Sequence, residues 1–278
     1  MRHAYLIMAH NEFVHLQQLI DALDDERNDI YVHIDSKVKQ LPKLYSKKAS
    51  LYVLENRVDV RWGHVSQIKA EYTLLNAAYQ NGKYDYYHII SGVHYPLVSL
   101  DEIDRYFSTT FPASVLMPMD VSEDEIKMRI GYRNFFMRNL VSHNKFIFKW
   151  HHILWRAALY PQKKLDISRD ISFTDGKASQ WCSLTHNAVK AILDKEKVLT
   201  KRFKRTFCSD EFFIPAALKS TSLPIVYTDK LTYLSFYYGN AAKLTEKDYE
   251  TIKASRCLFG RKFTSESLSL IKRIDSEK

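Results

Sequence analysis

The chain has 278 residues, 46% of them hydrophobic, so it is long enough to bury a sizeable core. Lys and Arg (41) outnumber Asp and Glu (32), and the net charge of +9 favours anionic partners: nucleotide phosphates, an acidic polymer or a membrane surface. Seven glycines are few for this length and argue against a glycine-rich phosphate loop. Three widely spaced cysteines argue against a disulfide framework and indicate a reducing compartment.

The amino terminus and the hydrophobic pattern indicate a cytoplasmic protein. The short apolar run at residues 4–9 meets His10, Asn11 and Glu12 at once, unlike the core of a signal peptide. No apolar run in the sequence is long enough to span a bilayer.

The first part of the chain alternates strands with helices, which favours an α/β domain with a parallel sheet. Apolar runs and helical spacing predict a strand, a helix and two further strands at residues 4–9, 13–23, 30–35 and 51–54. Ligands of such sheets bind beyond the carboxyl ends of the strands, where His10, Asn11 and Asp35 fall. Asp35 either begins a turn or accepts hydrogen bonds from a ribose or a uracil.

Two further boundaries place polar residues at the ends of elements. Ser66 is expected to cap a helix at 66–79, whose amino terminus could approach a phosphate, as any capped helix could. A strand at 84–92 ends in Ser91 and a glycine, where a ligand can come close to the backbone.

The later elements are shorter. Residues 115–119 predict an edge strand, because Pro118 has no N–H to donate to a neighbouring strand. Trp181 follows a turn of small residues and either stacks on a sugar or belongs to the core. The remaining predicted helices and strands lie at 99–107, 187–193, 225–227, 231–234 and 245–255.

Residues 127–165 carry nine Lys or Arg residues and no acid, interleaved with aromatic residues. This pattern favours one of two structures. One is an amphipathic helix that touches lipid or an acidic acceptor, and the other is a solvated basic face over a buried aromatic face.

Ser209, Asp210 and Glu211 stand in front of an apolar run. Ser209 is expected to be the N-cap of a helix, with both acids in its first turn. Either both acids merely cap this helix, or Glu211 lies in a dry cleft beside Phe212 and Phe213. Desolvation there would raise the pKa of Glu211 and make it a general base.

Several kinds of chemistry lack their motifs in this chain. It has no zinc-ligand spacing, no P-loop, no Gly-x-Ser-x-Gly elbow and no signature of RNA or DNA binding. It also has no Asp-x-Asp, with which many nucleotide-sugar transferases hold a divalent metal. Side chains would then have to balance a diphosphate, and Arg261 and Lys262 are candidates, although adjacent cations are also common on surfaces.

Seven segments, in order along the chain, resemble the core-2/I-branching glycosyltransferase family, which includes β-1,6-N-acetylglucosaminyltransferases and peptide O-xylosyltransferases. They are Tyr5-Leu6-Ile7-Met8-Ala9-His10-Asn11, Tyr31-Val32-His33-Ile34-Asp35, Val60-Arg61-Trp62-Gly63-His64-Val65-Ser66, Ser91-Gly92-Val93-His94-Tyr95-Pro96-Leu97, Ala178-Ser179-Gln180-Trp181, Ser209-Asp210-Glu211 and Leu258-Phe259-Gly260-Arg261-Lys262-Phe263. The resemblance covers nearly the whole chain.

The resemblance implies a GT-A-type fold, a UDP-sugar donor and inverting transfer that uses neither a metal nor another cofactor. By position, Glu211 resembles the catalytic base. Lys262 resembles the lysine that binds the diphosphate, with Arg261 beside it and Lys243 as the nearest match for a second cation. The remaining donor-binding positions are His10, Asn11, Asp35 and Ser66.

Acceptor-binding positions are expected at Ser91, His94, Trp181 and Asp210. The family usually has Asp where His94 stands, so the hydrogen bonds near the acceptor are expected to differ here. The family's animal members carry a membrane anchor that this chain lacks. This difference suggests a bacterial cytoplasmic enzyme, peripheral to the inner membrane.

The sequence therefore predicts one α/β domain over residues 1–278, with a mixed, mostly parallel sheet flanked by helices. Residues 1–120 would mainly bind the nucleotide, and residues 121–278 would mainly bind the acceptor and carry the catalytic residue. The expected reaction moves a sugar, with GlcNAc favoured, to a hydroxyl of a glycan or lipid-linked glycan in surface polysaccharide or lipopolysaccharide synthesis. A xylosyltransferase or other UDP-sugar transferase, and a non-catalytic anion-binding module, remain alternatives.

Overall fold

The computed structural model of the chain describes residues 1–142, 144–174, 176–237 and 240–278. The strands are β1 His3–Ala9, β2 Asn28–Ile34, β3 Ser50–Val53, β4 Tyr86–Ser91, β5 His94–Pro96, β6 Ser114–Leu116, β7 Pro118–Met119, β8 Lys177–Ala178, β9 Cys182–Thr185, β10 Ile225–Tyr227, β11 Thr232–Leu234, β12 Phe236–Tyr237, β13 Asn240–Ala241 and β14 Phe259–Arg261. The α-helices are α1 Phe13–Ala22, α2 Ser66–Asn81, α3 Leu100–Thr110, α4 Glu123–Ile126, α5 Lys145–Lys164, α6 His186–Asp194, α7 Glu196–Phe203, α8 Asp210–Leu218, α9 Tyr249–Ser255 and α10 Leu268–Asp275. A π-helical turn at Lys127–Gly131 and 3₁₀ turns at Met137–Asn139, Glu246–Asp248 and Ser265–Ser267 complete the helical segments of the described part.

A seven-stranded sheet forms the centre, in the order β10-β6-β9-β4-β1-β2-β3. Strand β9 is antiparallel to both of its neighbours, and the other adjacent pairs are parallel. A smaller sheet, β11-β14-β5, adjoins the first, since β5 follows directly after β4. The predicted α/β class, with a mixed and mostly parallel sheet flanked by helices, is confirmed.

Helices cover both faces of the central sheet, which explains why strands such as β1 carry apolar residues on both faces. In β1, Leu6 packs into the cluster formed with α2, α6 and α8, whereas Tyr5 and Ile7 pack into the cluster formed with α1 and α3. This alternation is the two-residue period of a strand, and both of its faces are core. No helix in the described part of the chain is long and apolar enough to cross a membrane.

Two local predictions were wrong, and a third was right in position only. Strand β6 lies inside the sheet between β10 and β9, not at an edge, and Pro118 belongs to the separate strand β7. Ser66 is the first residue of α2 and does not cap it, because its Oγ instead accepts the backbone N–H of Arg61 at 2.7 Å. Ser209 holds the N-cap position of α8, but its hydroxyl makes no capping hydrogen bond.

Candidate active site

Two clefts share one wall. The strand-end cleft, about 460 Å³, is lined by residues that follow the carboxyl ends of β1, β2 and β4. The carboxylate cleft, about 590 Å³, contains Asp210 and Glu211 at the start of α8. Both clefts are lined by Trp62, Gln67, Gln180, Trp181 and Arg261. One ligand could therefore reach from the first cleft into the second.

The strand-end cleft brings together four of the predicted donor-binding residues: His10, Asn11, Asp35 and Arg261. His10, Asn11 and Asp35 all line it, because β1 and β2 are parallel neighbours whose carboxyl ends meet at one edge. Partial burial lowers the pKa of His10, an effect that the carboxylate of Asp35 opposes.

Asp35 shapes the turn after β2. Its Oδ1 accepts the backbone N–H of Lys37 at 2.9 Å, and its Oδ2 lies 2.5 Å from the Lys37 ammonium. That ammonium also contacts Asp59 at 3.1 Å, and Lys37 lines the cleft. The predicted turn is therefore present, and it fixes a lysine at the rim where the donor is expected.

Arg261 lies at the junction of the clefts, at the end of β14. Its guanidinium carbon is 5.0 Å from the centre of the Trp181 ring, and its Nε donates to Ser91 Oγ at 3.3 Å. Burial lowers the pKa of Arg261 to about 10, and burial followed by the charge of Arg261 lowers the pKa of Lys262. Within the described ranges, no carboxylate pairs with either cation. Two uncompensated positive charges therefore favour an anion here.

Two other predicted donor residues are placed less favourably. Lys243 is exposed, and its ammonium pairs with Glu266 at 3.1 Å. The hydroxyl of Ser66 is buried in a local turn, where it contacts Arg61 and lies 3.1 Å from His64 Nδ1. The adjacent residue Gln67 lines both clefts instead.

The residues Ser91, His94 and Trp181 form one packed group beside Arg261. Trp181 is 9% exposed and forms cleft wall, and Ser91 lines the strand-end cleft. His94 is fully buried, with its ring centre 5.0 Å from that of Trp181, so the expected direct contact of His94 with an acceptor is revised to a supporting one. Its Nδ1 accepts the backbone N–H of Ser91 at 3.0 Å, and burial lowers the pKa of His94 well below the usual value. The ring is therefore neutral, with its proton on Nε2.

Glu211 lies in an ionic environment and not in the dry, apolar cleft that was one of the two alternatives for it. Phe212 and Phe213 point into the core, whereas Glu211 Oε2 pairs with Arg129 at 2.5 Å and Lys177 at 3.3 Å. Among the described residues, nothing donates a hydrogen bond to Glu211 Oε1. Two cations thus hold one oxygen of the carboxylate, and the other is available to a ligand.

Asp210 is the buried member of the acidic pair. Gln67 Nε2 donates to its Oδ2 at 2.9 Å, while its Oδ1 has no hydrogen-bond partner in the described part. Burial, followed by the charge of Glu211, raises the pKa of Asp210 to about 7. Near neutral pH a substantial fraction of the protein therefore carries Asp210 in its uncharged form.

This raised pKa predicts a pH-dependent stability. Folded protein binds more protons at Asp210 than unfolded protein between about pH 4 and about pH 7, so its contribution to stability falls as pH rises through that range. Relative to Asp210→Asn, which cannot titrate, the wild-type free energy of unfolding should fall on the order of 4 kcal/mol across the range. Urea unfolding of both proteins at several pH values measures this. A difference that stays constant with pH would contradict the burial of an acid here.

A second buried acid lies behind the shared wall and was missed by sequence reasoning. Glu71 on α2 is fully buried and accepts the Gln180 amide at 2.8 Å, and burial raises its pKa well above the usual value. Glu71 shares a helix face with Ile68 and Leu75, so the sequence pattern places an acid at a core position. This pattern could have identified Glu71 from the sequence. Gln67, Gln180, Arg129 and Lys177 were also missed.

The chain is similar to known proteins in sequence and in structure. The sequence model of the Core-2/I-Branching enzyme family matches residues 3–255. Among solved structures, the apo crystal structure of mouse xyloside xylosyltransferase 1 is similar, with a TM-score of 0.40 and 10% identity over 93% of this chain and 96% of that one. A search of curated proteins gave no match. Because the family match spans most of its length, the chain belongs to the core-2/I-branching enzyme family of glycosyltransferases.

Proposed function

We propose that the protein is an inverting glycosyltransferase that moves a sugar, with GlcNAc favoured, from a UDP-sugar to a hydroxyl of a glycan or lipid-linked glycan. One observation carries the proposal. Arg261, a half-buried cation without a carboxylate partner among the described residues, stands where the strand-end cleft joins the cleft that holds Glu211.

The donor would lie along this junction. Its nucleoside would occupy the strand-end cleft near His10, Asn11 and Asp35, as ligands of parallel sheets do. Its diphosphate would meet Arg261 and Lys262, whose uncompensated charges could do the work of a metal ion. We therefore propose transfer without a metal cofactor.

The acceptor would enter through the carboxylate cleft. Its hydroxyl would give its proton to Glu211 Oε1 while its oxygen bonds to the anomeric carbon from the face opposite the diphosphate. The bond from that carbon to the diphosphate oxygen would break, and its electron pair would leave with UDP. Trp181 and Asp210 line this cleft and would contact the acceptor there.

This placement also supports the proposed division of a single domain. The strand-end cleft is lined mainly from residues 1–120, and the base and its cations come from residues 121–278. From the resemblance of the sequence to the core-2/I-branching family, we propose that the reaction belongs to the synthesis of a bacterial surface polysaccharide or lipopolysaccharide.

Release of UDP from a panel of UDP-sugars tests the donor class. We expect one of them, with UDP-GlcNAc first and UDP-xylose second, to be hydrolysed slowly without an acceptor and faster with a glycan acceptor. Equal inactivity toward all UDP-sugars, together with salt-sensitive binding of unrelated polyanions, would instead identify an anion-binding module.

A further inference from the structure

Helix α5 presents an apolar stripe to solvent. Phe146, Trp150 and Ile153 recur at the spacing of one helix face and are 70%, 48% and 45% exposed, and Tyr160 farther along is 66% exposed. Of the 20 residues of α5, only Leu159 is buried. A soluble helix normally turns its apolar face to the core, so this stripe lacks the partner that such a face requires.

The opposite face of α5 is attached to the protein mainly by polar contacts. Trp155 Nε1 donates to Asn134 Oδ1 at 2.8 Å, and the Gln162 side chain makes two hydrogen bonds with the backbone of Arg133, at 2.8 and 3.0 Å. These contacts fix which side of the helix faces outward. The exposed stripe is therefore built into the fold.

Cations flank this stripe. Lys145, Lys149 and Arg156 fall along one side of it at helical spacing and are exposed, and residues 127–165 contain no acid. Two copies of this face would bring like charges together, which opposes self-association through it. Apolar rings beside a row of basic side chains match an anionic bilayer, where rings enter the interface and amines meet phosphate groups.

We propose that α5 docks the protein on an anionic membrane surface, with Phe146, Trp150 and Ile153 inserted among the lipid headgroups. The lysines beside them contact lipid phosphates. This surface is independent of the reaction proposed above.

The position of α5 connects membrane docking with access to a lipid-linked acceptor, and this connection rests on the proposed function. Trp155 lies 5.7 Å from Phe207, which in turn lies 5.4 Å from Trp62 in the shared cleft wall, centre to centre. Arg138, just before α5, pairs with Asp59 at 3.1 Å. Docking through α5 therefore brings the clefts close to the bilayer, where a lipid-linked acceptor would be presented.

Vesicle flotation tests the surface directly. Wild-type protein should float with phosphatidylglycerol-containing vesicles at about 0.1 M salt and remain unbound with pure phosphatidylcholine. Lys145→Gln with Lys149→Gln should weaken binding ~25-fold, or about fivefold per lysine. Phe146→Ser with Trp150→Ser should weaken it at least about tenfold.

Brominated lipids should quench wild-type tryptophan fluorescence, and Trp150→Phe should abolish most of this quenching.

Helix α7 supplies matched controls. Val198 there is 65% exposed and Lys197 and Lys201 are also exposed, so Val198→Ser and Lys197→Gln with Lys201→Gln should leave vesicle binding unchanged.

UDP-sugar hydrolysis should be unchanged in all α5 variants, which separates this proposal from the proposed function. Absence of flotation with anionic vesicles would overturn the membrane assignment. So would binding to a soluble acidic glycan alone, or a dimer that the α5 changes dissociate.

Discussion

Replacement of Glu211 by Gln is expected to lower kcat for sugar transfer by about 10²–10⁴-fold, with little change in UDP affinity. Gln keeps the size of the side chain but cannot take a proton at Oε1, the oxygen that the described residues leave without a hydrogen bond. Arg129 and Lys177 occupy only Oε2. The measurement is single-turnover transfer at saturating UDP-sugar, with UDP affinity determined separately by calorimetry.

Glu125 provides a matched control for this substitution. Its Oε1 lies 2.9 Å from Arg129 Nε and 3.0 Å from Lys177 Nζ, so it binds the same two cations without lining either cleft. Glu125→Gln should lower the free energy of unfolding by a similar amount, because the two cations again lose one carboxylate. It should nevertheless keep most of the transfer activity. If both variants lose transfer equally, Glu211 acts by organising these cations, and another group is the base.

Replacement of Arg261 by Met is expected to weaken UDP binding by about 10–100-fold while leaving the melting temperature equal or higher. The guanidinium is partly buried against Trp181, and no carboxylate in the described part pairs with it, so its charge costs folding free energy. Met fills similar space without that cost. Uridine, which has no phosphates, should bind the variant and the wild type alike.

Lys230 is the control for charge in the same region. It also lines the carboxylate cleft, but it is exposed and pairs with Asp229 at 3.8 Å. Lys230→Met should change UDP affinity less than about fivefold. A loss of UDP binding as large as that of Arg261→Met would mean that general positive charge, and not Arg261 in its place, attracts the diphosphate.

The sequence reveals the fold well where strands are buried on both faces. The segments at 4–9 and 30–35 are mostly apolar on both faces because helices cover both sides of β1 and β2, and such segments identify strands without knowledge of the rest. Pro118 misled the prediction because β6 ends two residues before it. The missing N–H of Pro118 therefore does not concern the central sheet.

The sequence reveals less about the site, because its contacts join distant parts of the chain. Gln67 meets Asp210 across 143 residues, and Gln180 meets Glu71 across 109. A local sequence pattern does not reveal which distant residues contact each other in the fold. His94 shows the same limit, since its place in a motif is readable but the inward direction of its ring is set by packing against other elements.

Titration of UDP into wild-type protein and Arg261→Met in the presence of EDTA tests the central claim most directly. The account predicts that wild type binds UDP equally well with EDTA and with added Mg²⁺, and that the variant loses most of that affinity in both. Binding that needs a divalent cation, or that survives in the variant, would contradict a diphosphate site built from Arg261 and Lys262.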